Sequence, residues 1–252
     1  MAVRIALAGK GGTGKTTTAA LLVRYLVETG KGPVLAVDAD PNANLNELLG
    51  LEVEITLGEV KNELRTGVPE NMSRGEFMEM RVHEAMVEAE GYDLLVMGQP
   101  EGPGCYCAAH SFLSQALQKI EKSYAYLVVD NEAGMEHLSR LNMTEIDHLL
   151  VVSDASSRGI LTAARIAALI KPLQLQVAHR WLIVNRAPEE IPEALDKYVR
   201  EICEKENLSF LGYLPESEEI FKLEVEQKPL WKLTSENPLL TRAYKLFEHM
   251  LT

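Results

Sequence analysis

The chain has 252 residues, 46% of them hydrophobic, which suffices for one large α/β domain or two small ones. A formal charge of −12 and an isoelectric point near 5.1, with Lys and Arg scattered among Asp and Glu, argue against a nucleic-acid partner. With no signal-peptide pattern, no apolar run of roughly 20 residues and only three cysteines, we expect a cytoplasmic protein that neither spans a membrane nor depends on disulfides.

Short apolar runs alternate with amphipathic segments along the chain. Each run is nearly continuous in aliphatic residues and ends in small or polar ones, which is typical of parallel strands covered on both faces. Predicted strands are 3–9, 34–40, 93–99, 126–132, 148–155, 181–187 and 210–215, with helices at 15–29, 73–90, 156–173 and 190–206. We therefore expect an α/β fold, a single doubly wound domain over residues 1–252 with a mostly parallel sheet of about seven strands and helices on both faces. Residues 51–75 are expected to be irregular.

The string GKGGTGKTT, Gly9 to Thr17, lies between the first strand and the first helix and fits the phosphate-loop pattern G-x-x-x-x-G-K-[ST]. Glycines let backbone N–H groups turn toward phosphate oxygens, and the helix N-terminus adds positive potential. Lys15 is expected to neutralise the β- and γ-phosphates, and Thr16 to offer its hydroxyl to Mg²⁺. The nucleotide-binding residues predicted here are Gly11, Gly12, Thr13, Gly14, Lys15, Thr16 and Thr17.

The same string also contains an early lysine, Lys10, which the ordinary motif does not require. With it, KGGTGKTT resembles the deviant phosphate loop of the family that contains MinD, ParA and the nitrogenase iron protein. The resemblance implies an ATPase that converts ATP to ADP and phosphate with Mg²⁺. It also implies a homodimer in which Lys10 reaches the partner subunit's nucleotide, as an arginine finger does in trans.

Three carboxylates lie at or near the ends of predicted strands, at positions that match this family's switches. DADPNANL stands at the first switch, and the resemblance implies that Asp40 orients the attacking water while Asp38 supports the switch. YLVVDNEAG stands at the second switch and makes Asp130 the carboxylate on the Mg²⁺ side. Asn44 is a departure, because the iron protein has a further aspartate there.

Two residues are candidates for contact with the base. Asn185 closes the strand in WLIVNRA, where its amide can hydrogen-bond a base edge, and Pro215 in LGYLPES matches the family's loop that lines the base pocket. No Asn-Lys-x-Asp string occurs, and the resemblance favours ATP over GTP.

Cys105 and Cys107, in GPGCYCAAHSF, are one residue apart. Alternate residues of a strand lie roughly 6.6–7 Å apart, whereas two sulfurs on one zinc lie within about 4.6 Å of each other. Gly-Pro-Gly supplies a bend, and a helix predicted to follow favours thiolates at its start. Two chains about a two-fold axis would supply the four thiolates of a tetrahedral metal site. A packing pair and a redox pair remain open, and Cys203 is expected to pack in a helix.

The phosphate loop, CYC before SFL, and AGMEHLSR after Asp130 together resemble the CooC-type nickel-insertion ATPases, with an AcsF-like subtype favoured. This narrower resemblance implies Ni²⁺, or Zn²⁺ in its place, held between two subunits. It further implies a client nickel enzyme, either acetyl-CoA synthase or carbon monoxide dehydrogenase. His110 and His137 are candidate auxiliary nickel ligands, against a structural role, while Met135 and Met143 are expected to pack.

Two other functions suit the same fold. One is an iron–sulfur carrier with a [4Fe–4S] cluster between subunits, although the second switch, DNEAGMEHLSR, contains no cysteine. The other is a MinD/ParA-like ATPase of spatial organisation, an ATP-driven partitioning switch on a membrane or on DNA. A membrane role would require the amphipathic segment 237–252 to lie on the bilayer. Arg242 and Lys245 are offset by Glu248 there, so we expect this segment to pack on the sheet instead.

Overall fold

The computed structural model describes residues 2–99, 106–135 and 145–252, and its centre is an eight-stranded sheet. The strands are β1 Val3–Gly9, β2 Val34–Asp38, β3 Val87–Ala89, β4 Tyr92–Val96, β5 Tyr126–Asp130, β6 Glu145–Asp154, β7 Gln176–Ala187 and β8 Ser209–Pro215. Their order across the sheet is β3-β4-β2-β5-β1-β6-β7-β8. All pairings are parallel except that of β3 with β4. The expected α/β fold with a mostly parallel sheet is confirmed.

Helices cover both faces of the sheet and divide the core in two. Those described are α1 Lys15–Glu28, α2 Leu45–Leu49, α3 Leu57–Thr66, α4 Arg74–Glu84, α5 Tyr106–Ile120, α6 Ser157–Ala168, α7 Glu193–Glu206, α8 Glu218–Val225 and α9 Pro238–Met250. One buried cluster joins α1, α2, α8 and α9 to the sheet. The other cluster joins five helices to the opposite face of the sheet, namely α3, α4, α5, α6 and α7. Burial of apolar area on both faces explains why the central strands β1, β2 and β5 are largely aliphatic.

Several of the expected boundaries were wrong. The segment 51–75 is not irregular throughout, because Thr56 and Glu59 form a capping box that starts α3. The expected helix 73–90 ends at Glu84, and β3 follows it as an eighth strand on the sheet edge. Four strands also end before the predicted limits, at Asp38, Val96, Asp130 and Asp154, since the chain turns there into loops at the carboxyl edge.

The C-terminal helix packs inward, as expected. Leu239, Leu240, Leu246 and Phe247 are buried against α1 and the sheet, so the apolar side of α9 is already covered. Within the described ranges, no helix combines the length and apolar character needed to cross a bilayer. Cys203 is buried in the core as expected, and burial raises the pKa of its thiol to about 11, as befits a packing residue.

Candidate nucleotide site

The candidate site lies where β1, β2 and β5 end, at the carboxyl edge of the sheet. Asp38 and Asp130 are register partners on β2 and β5, and Asp130 also pairs with Leu7 of β1. The loop after β1 turns directly above them and leads into α1. Parallel strands place their carboxyl ends together, so residues far apart in sequence meet at this edge.

The loop Gly9–Thr17 is a compact turn built around one carbonyl. The oxygen of Lys10 accepts hydrogen bonds from the Thr13 N–H at 3.4 Å and the Thr13 hydroxyl at 2.9 Å. Gly14 has φ +88°, and a Cβ there would lie 2.2 Å from the Asn185 Nδ2. The turn therefore requires glycine at position 14 for both its backbone angle and the close approach of Asn185.

The two lysines of the loop occupy different surroundings. Lys15 is only 8% exposed, and its ammonium lies 3.5 Å from the Lys10 carbonyl, over the mouth of the loop. Lys10 instead points to solvent, and no carboxylate in the described ranges pairs with it. One cation therefore belongs to the loop itself, while the other is free to reach a group outside it.

Asp130 is buried beside the loop with one oxygen unsatisfied. Thr16 hydrogen-bonds its carboxyl group, yet Oδ1 has no partner. Burial, with a smaller contribution from the negative charge of Asp38, raises the pKa of Asp130 to about 7, although Thr16 and Lys15 act to lower it. A buried carboxylate with a free oxygen next to a threonine hydroxyl is the donor set that Mg²⁺ prefers, so Asp130 and Thr16 fit this ion.

Asp38 anchors the loop after β2, a role the sequence indicated only loosely. Its carboxylate accepts the backbone N–H groups of Asp40, Asn44 and Leu45 at 2.9–3.0 Å. Burial nevertheless raises the pKa of Asp38 to about 6. Asp40 lies at the surface of this loop, half-buried, and accepts the backbone and side-chain N–H groups of Asn42. The loop therefore presents the Asp40 carboxylate in a fixed direction.

A pocket of about 340 Å³ opens beside Thr17 and contains both residues predicted to meet the base, Asn185 and Pro215. Helix α8 supplies residues that the sequence did not indicate, among them Ile220 and Phe221, and Phe221 is 67% exposed at the rim. No sequence motif marks these positions, because they reach the pocket only when α8 packs beside β7 and β8.

Asn185 connects this pocket to the phosphate loop. Its Nδ2 donates to the Thr13 carbonyl at 2.9 Å. Since a carbonyl only accepts, this bond fixes the amide orientation and leaves the Asn185 Oδ1 as an acceptor for a group in the pocket. One side chain therefore holds the turn and lines the pocket predicted to hold the base, which we call the base pocket.

Several predicted residues lie outside the described part. Cys105, His137 and Met143 fall in its gaps, and Cys107 and His110 are in α5, where their side chains are not described. Met135 is buried in the core, which confirms its expected packing. In the described ranges, no group of three or more His, Cys, Asp or Glu residues is arranged to hold a metal ion.

Comparison with known proteins agrees with this geometry. Residues 5–230 match the family model of the CobQ/CobB/MinD/ParA nucleotide binding domain. An uncharacterized ATP-binding protein of Methanocaldococcus jannaschii is 38% identical over 252 residues, covering 98% of each chain. The carbon monoxide dehydrogenase accessory protein CooC of Rhodospirillum rubrum is 32% identical over 212 residues, 77% of this chain and 79% of that protein.

The fold has solved counterparts as well. The cell division ATPase MinD of Pyrococcus furiosus superposes with a TM-score of 0.70 at 22% identity, covering 98% of both chains. With the matched model spanning most of the sequence, the chain belongs to the CobQ/CobB/MinD/ParA family of nucleotide-binding domains.

Proposed function

We propose that this protein is an ATP-hydrolysing maturation factor, of AcsF-like type, that inserts nickel into acetyl-CoA synthase or carbon monoxide dehydrogenase. The observation that carries the proposal is the likeness to CooC, 32% over 212 residues, in a chain that also has the Cys105–Cys107 pair. The chain, residues 1–252, acts as one P-loop ATPase domain. Its homologues include ATP-binding proteins, which supports ATP as the nucleotide.

Binding of the triphosphate uses the turn already described. Lys15 neutralises the β- and γ-phosphates, and the backbone N–H groups of Gly11, Gly12 and Gly14 would bind phosphate oxygens. Bound Mg²⁺ would neutralise phosphate charge, and Thr16 and Asp130 would hold it. Burial raises the pKa of Asp130 and so favours its protonated form. The positive charge of Mg²⁺ acts in the opposite direction and would favour the loss of that proton.

Hydrolysis in this proposal needs two subunits. The exposed Lys10 enters the partner's site and stabilises charge on the transferred phosphoryl group. Asp40, oriented by its hydrogen bonds from Asn42, aligns the water. Positioning and charge neutralisation therefore supply most of the acceleration.

The nickel ion is cargo, bound where two subunits meet. Cys105 and Cys107 of each subunit supply four thiolates, the number that closes a tetrahedral site. ATP-driven pairing would assemble this site, and separation after hydrolysis would release the ion toward the client. Zn²⁺ can take the place of Ni²⁺, because thiolates bind both.

We expect purified protein to hold about one metal ion per two chains, measured by native mass spectrometry together with elemental analysis. Replacing both cysteines, Cys105→Ala with Cys107→Ala, should remove the metal and leave ATP binding intact. Cys203→Ala is the matched control, and it should retain the metal because Cys203 lies in the core.

A metal content unchanged by the double replacement would refute the shared site. So would a metal-loaded single subunit whose ion is fully coordinated. A brown protein that contains iron and sulfide, isolated without oxygen, would favour the iron–sulfur carrier instead.

We further expect ATP to bind more tightly than GTP. The Asn185 Oδ1 is available as an acceptor, which suits the N6 amino group of adenine and opposes the O6 carbonyl of guanine. Asn185→Ala should weaken ATP binding roughly threefold to tenfold, the value of one hydrogen bond, and reduce the preference for ATP. Titration calorimetry with both nucleotides measures this, and equal affinities in the unmodified protein would contradict it.

A further inference from the structure

A second pocket, of about 300 Å³, lies between α3, α4 and α5 and shares no residue with the nucleotide site. Its floor is apolar and consists of Leu64, Met78 and Phe112, all nearly buried. Its rim carries three cations, which are Lys61, Arg65 and Arg74. We call it the α3–α5 pocket. It combines an apolar surface with concentrated positive charge.

None of the three rim cations has an ionic partner among the described residues. In the ranges that the structure describes, no carboxylate lies within 4.0 Å of Lys61, Arg65 or Arg74. The carboxylates on the same helices are engaged elsewhere: Glu63 with Arg81 at 2.6 Å, Glu79 with Lys119 at 3.1 Å, Glu84 also with Arg81, and Glu59 and Glu76 in the capping boxes of α3 and α4. The positive charge at this rim is therefore left uncompensated.

This cluster is unusual in a chain whose net charge is −12. Lys61 is half-buried, and both burial and the neighbouring Arg65 lower the pKa of its ammonium. Like charges held together carry a repulsive cost that an incoming anion would relieve. The pocket is therefore complementary to negative charge, although most of the surface is not.

We propose that the α3–α5 pocket binds an acidic segment of a partner protein that places an apolar side chain on its floor. Arginines pair with carboxylates through two parallel hydrogen bonds, which suits Arg65 and Arg74 at an exposed rim. The buried apolar floor would stabilise the complex by burying a leucine or phenylalanine side chain of the segment. A free inorganic anion would use the rim and leave the floor unused, so the peptide is the better fit. This inference goes beyond the proposed function and does not depend on nickel or ATP.

The test uses the full chain and a fluorescein-labelled peptide in which glutamates flank one leucine and one phenylalanine. Fluorescence anisotropy at low salt should show binding that weakens as salt is added. The double variant Arg65→Glu with Arg74→Glu should weaken binding at least about tenfold. Arg65→Gln with Arg74→Gln should have a smaller effect. Both arginines are exposed, so neither variant should unfold the protein.

Two controls separate this pocket from general electrostatics. Lys205→Glu with Lys245→Glu changes the net charge equally but lies on α7 and α9, so its affinity should stay within about twofold of the unmodified protein. A peptide with serine in place of leucine and phenylalanine keeps its charge and should bind about tenfold more weakly, because it lacks the anchor.

Four results would overturn the proposal. One is no binding of the peptide, and another is equal weakening by the control lysine variant. A third is full displacement by inorganic phosphate whose own binding shows the same sensitivity to Arg65 and Arg74, which would indicate a small-anion site. The fourth is self-association of the chain, seen by analytical ultracentrifugation and lost in the Arg65→Glu, Arg74→Glu variant, which would make a second copy the occupant.

Discussion

Lys10→Ala is expected to bind ATP with nearly unchanged affinity but to lose both ATP-dependent dimerisation and hydrolysis. In one subunit, Lys10 supplies only its backbone carbonyl to the phosphate loop, and alanine keeps that carbonyl. The exposed ammonium makes no ion pair in the described ranges, so its removal should not disturb the fold. If it acts on the partner's nucleotide, turnover should fall at least about a thousandfold, as for a cationic finger supplied in trans.

The measurements for Lys10→Ala are ATP affinity by calorimetry, mass by light scattering in ADP and in a non-hydrolysable ATP analogue, and phosphate release. Lys31→Ala removes an equally exposed lysine beyond the end of α1 and should behave as the unmodified protein. Lys15→Ala should lose ATP binding itself. Retained turnover in Lys10→Ala would refute the role in trans.

The geometry of the site links its parts through a few side chains. Asn185 ties the base pocket to Thr13 of the phosphate loop, and Thr16 ties the same loop to Asp130. The Ala39 N–H donates to the Asp130 carbonyl at 2.9 Å, which joins the ends of β2 and β5. Exchange of ATP for ADP at the phosphate loop would therefore affect both loops that follow β2 and β5.

The sheet could be predicted because its signal is local. Strands buried on both faces are continuous aliphatic runs, and each polar residue that ends such a run marks the carboxyl edge. The roles of Asp38 and Asp130 came from the family resemblance, and their positions at the ends of β2 and β5 agree with it. β3 was not predicted, because three residues with an exposed glutamate in the middle continue the helical pattern of α4. The start of α3 had a signal, Thr56 three residues before Glu59, which the prediction of an irregular segment overlooked.

The remaining features depend on packing between distant segments. Phe221 reaches the base pocket because α8 packs beside β8, and its own sequence shows only an amphipathic turn. Lys61, Arg74 and Phe112 meet only after three helices have assembled. The contact of Asn185 with the Thr13 carbonyl likewise depends on where β7 lies relative to β1. The residue pattern of a strand does not determine that position.

Asp130→Asn is expected to stabilise the metal-free, nucleotide-free protein at pH 8. Burial raises the pKa of Asp130 from 3.8 in the unfolded chain to about 7 in the fold. Between pH 3.8 and pH 7 the folded state binds this proton more tightly than the unfolded chain does. The free energy of unfolding therefore falls as the pH rises, and this fall is complete above about pH 7. Asparagine keeps the shape and an oxygen for Thr16 without ever ionising. We expect the free energy of unfolding of Asp130→Asn to exceed that of the parent by on the order of 2 kcal/mol at pH 8, which corresponds to a Tm about 5 °C higher.

The sign of this effect provides its own check. At pH 5 the folded protein already carries the proton on Asp130, so the advantage of Asp130→Asn should shrink to about half or less. Thermal melts between pH 5 and 8 in the presence of a chelator measure this change in Tm. Glu218→Gln, at an exposed position of α8, is the control and should show no increase in Tm. Added Mg²⁺ with ATP should reverse the order at pH 8, because a charged carboxylate binds the ion more strongly than the neutral amide of asparagine does. A variant less stable than the parent at every pH would show that the Asp130 carboxylate is satisfied in the fold rather than held at a cost.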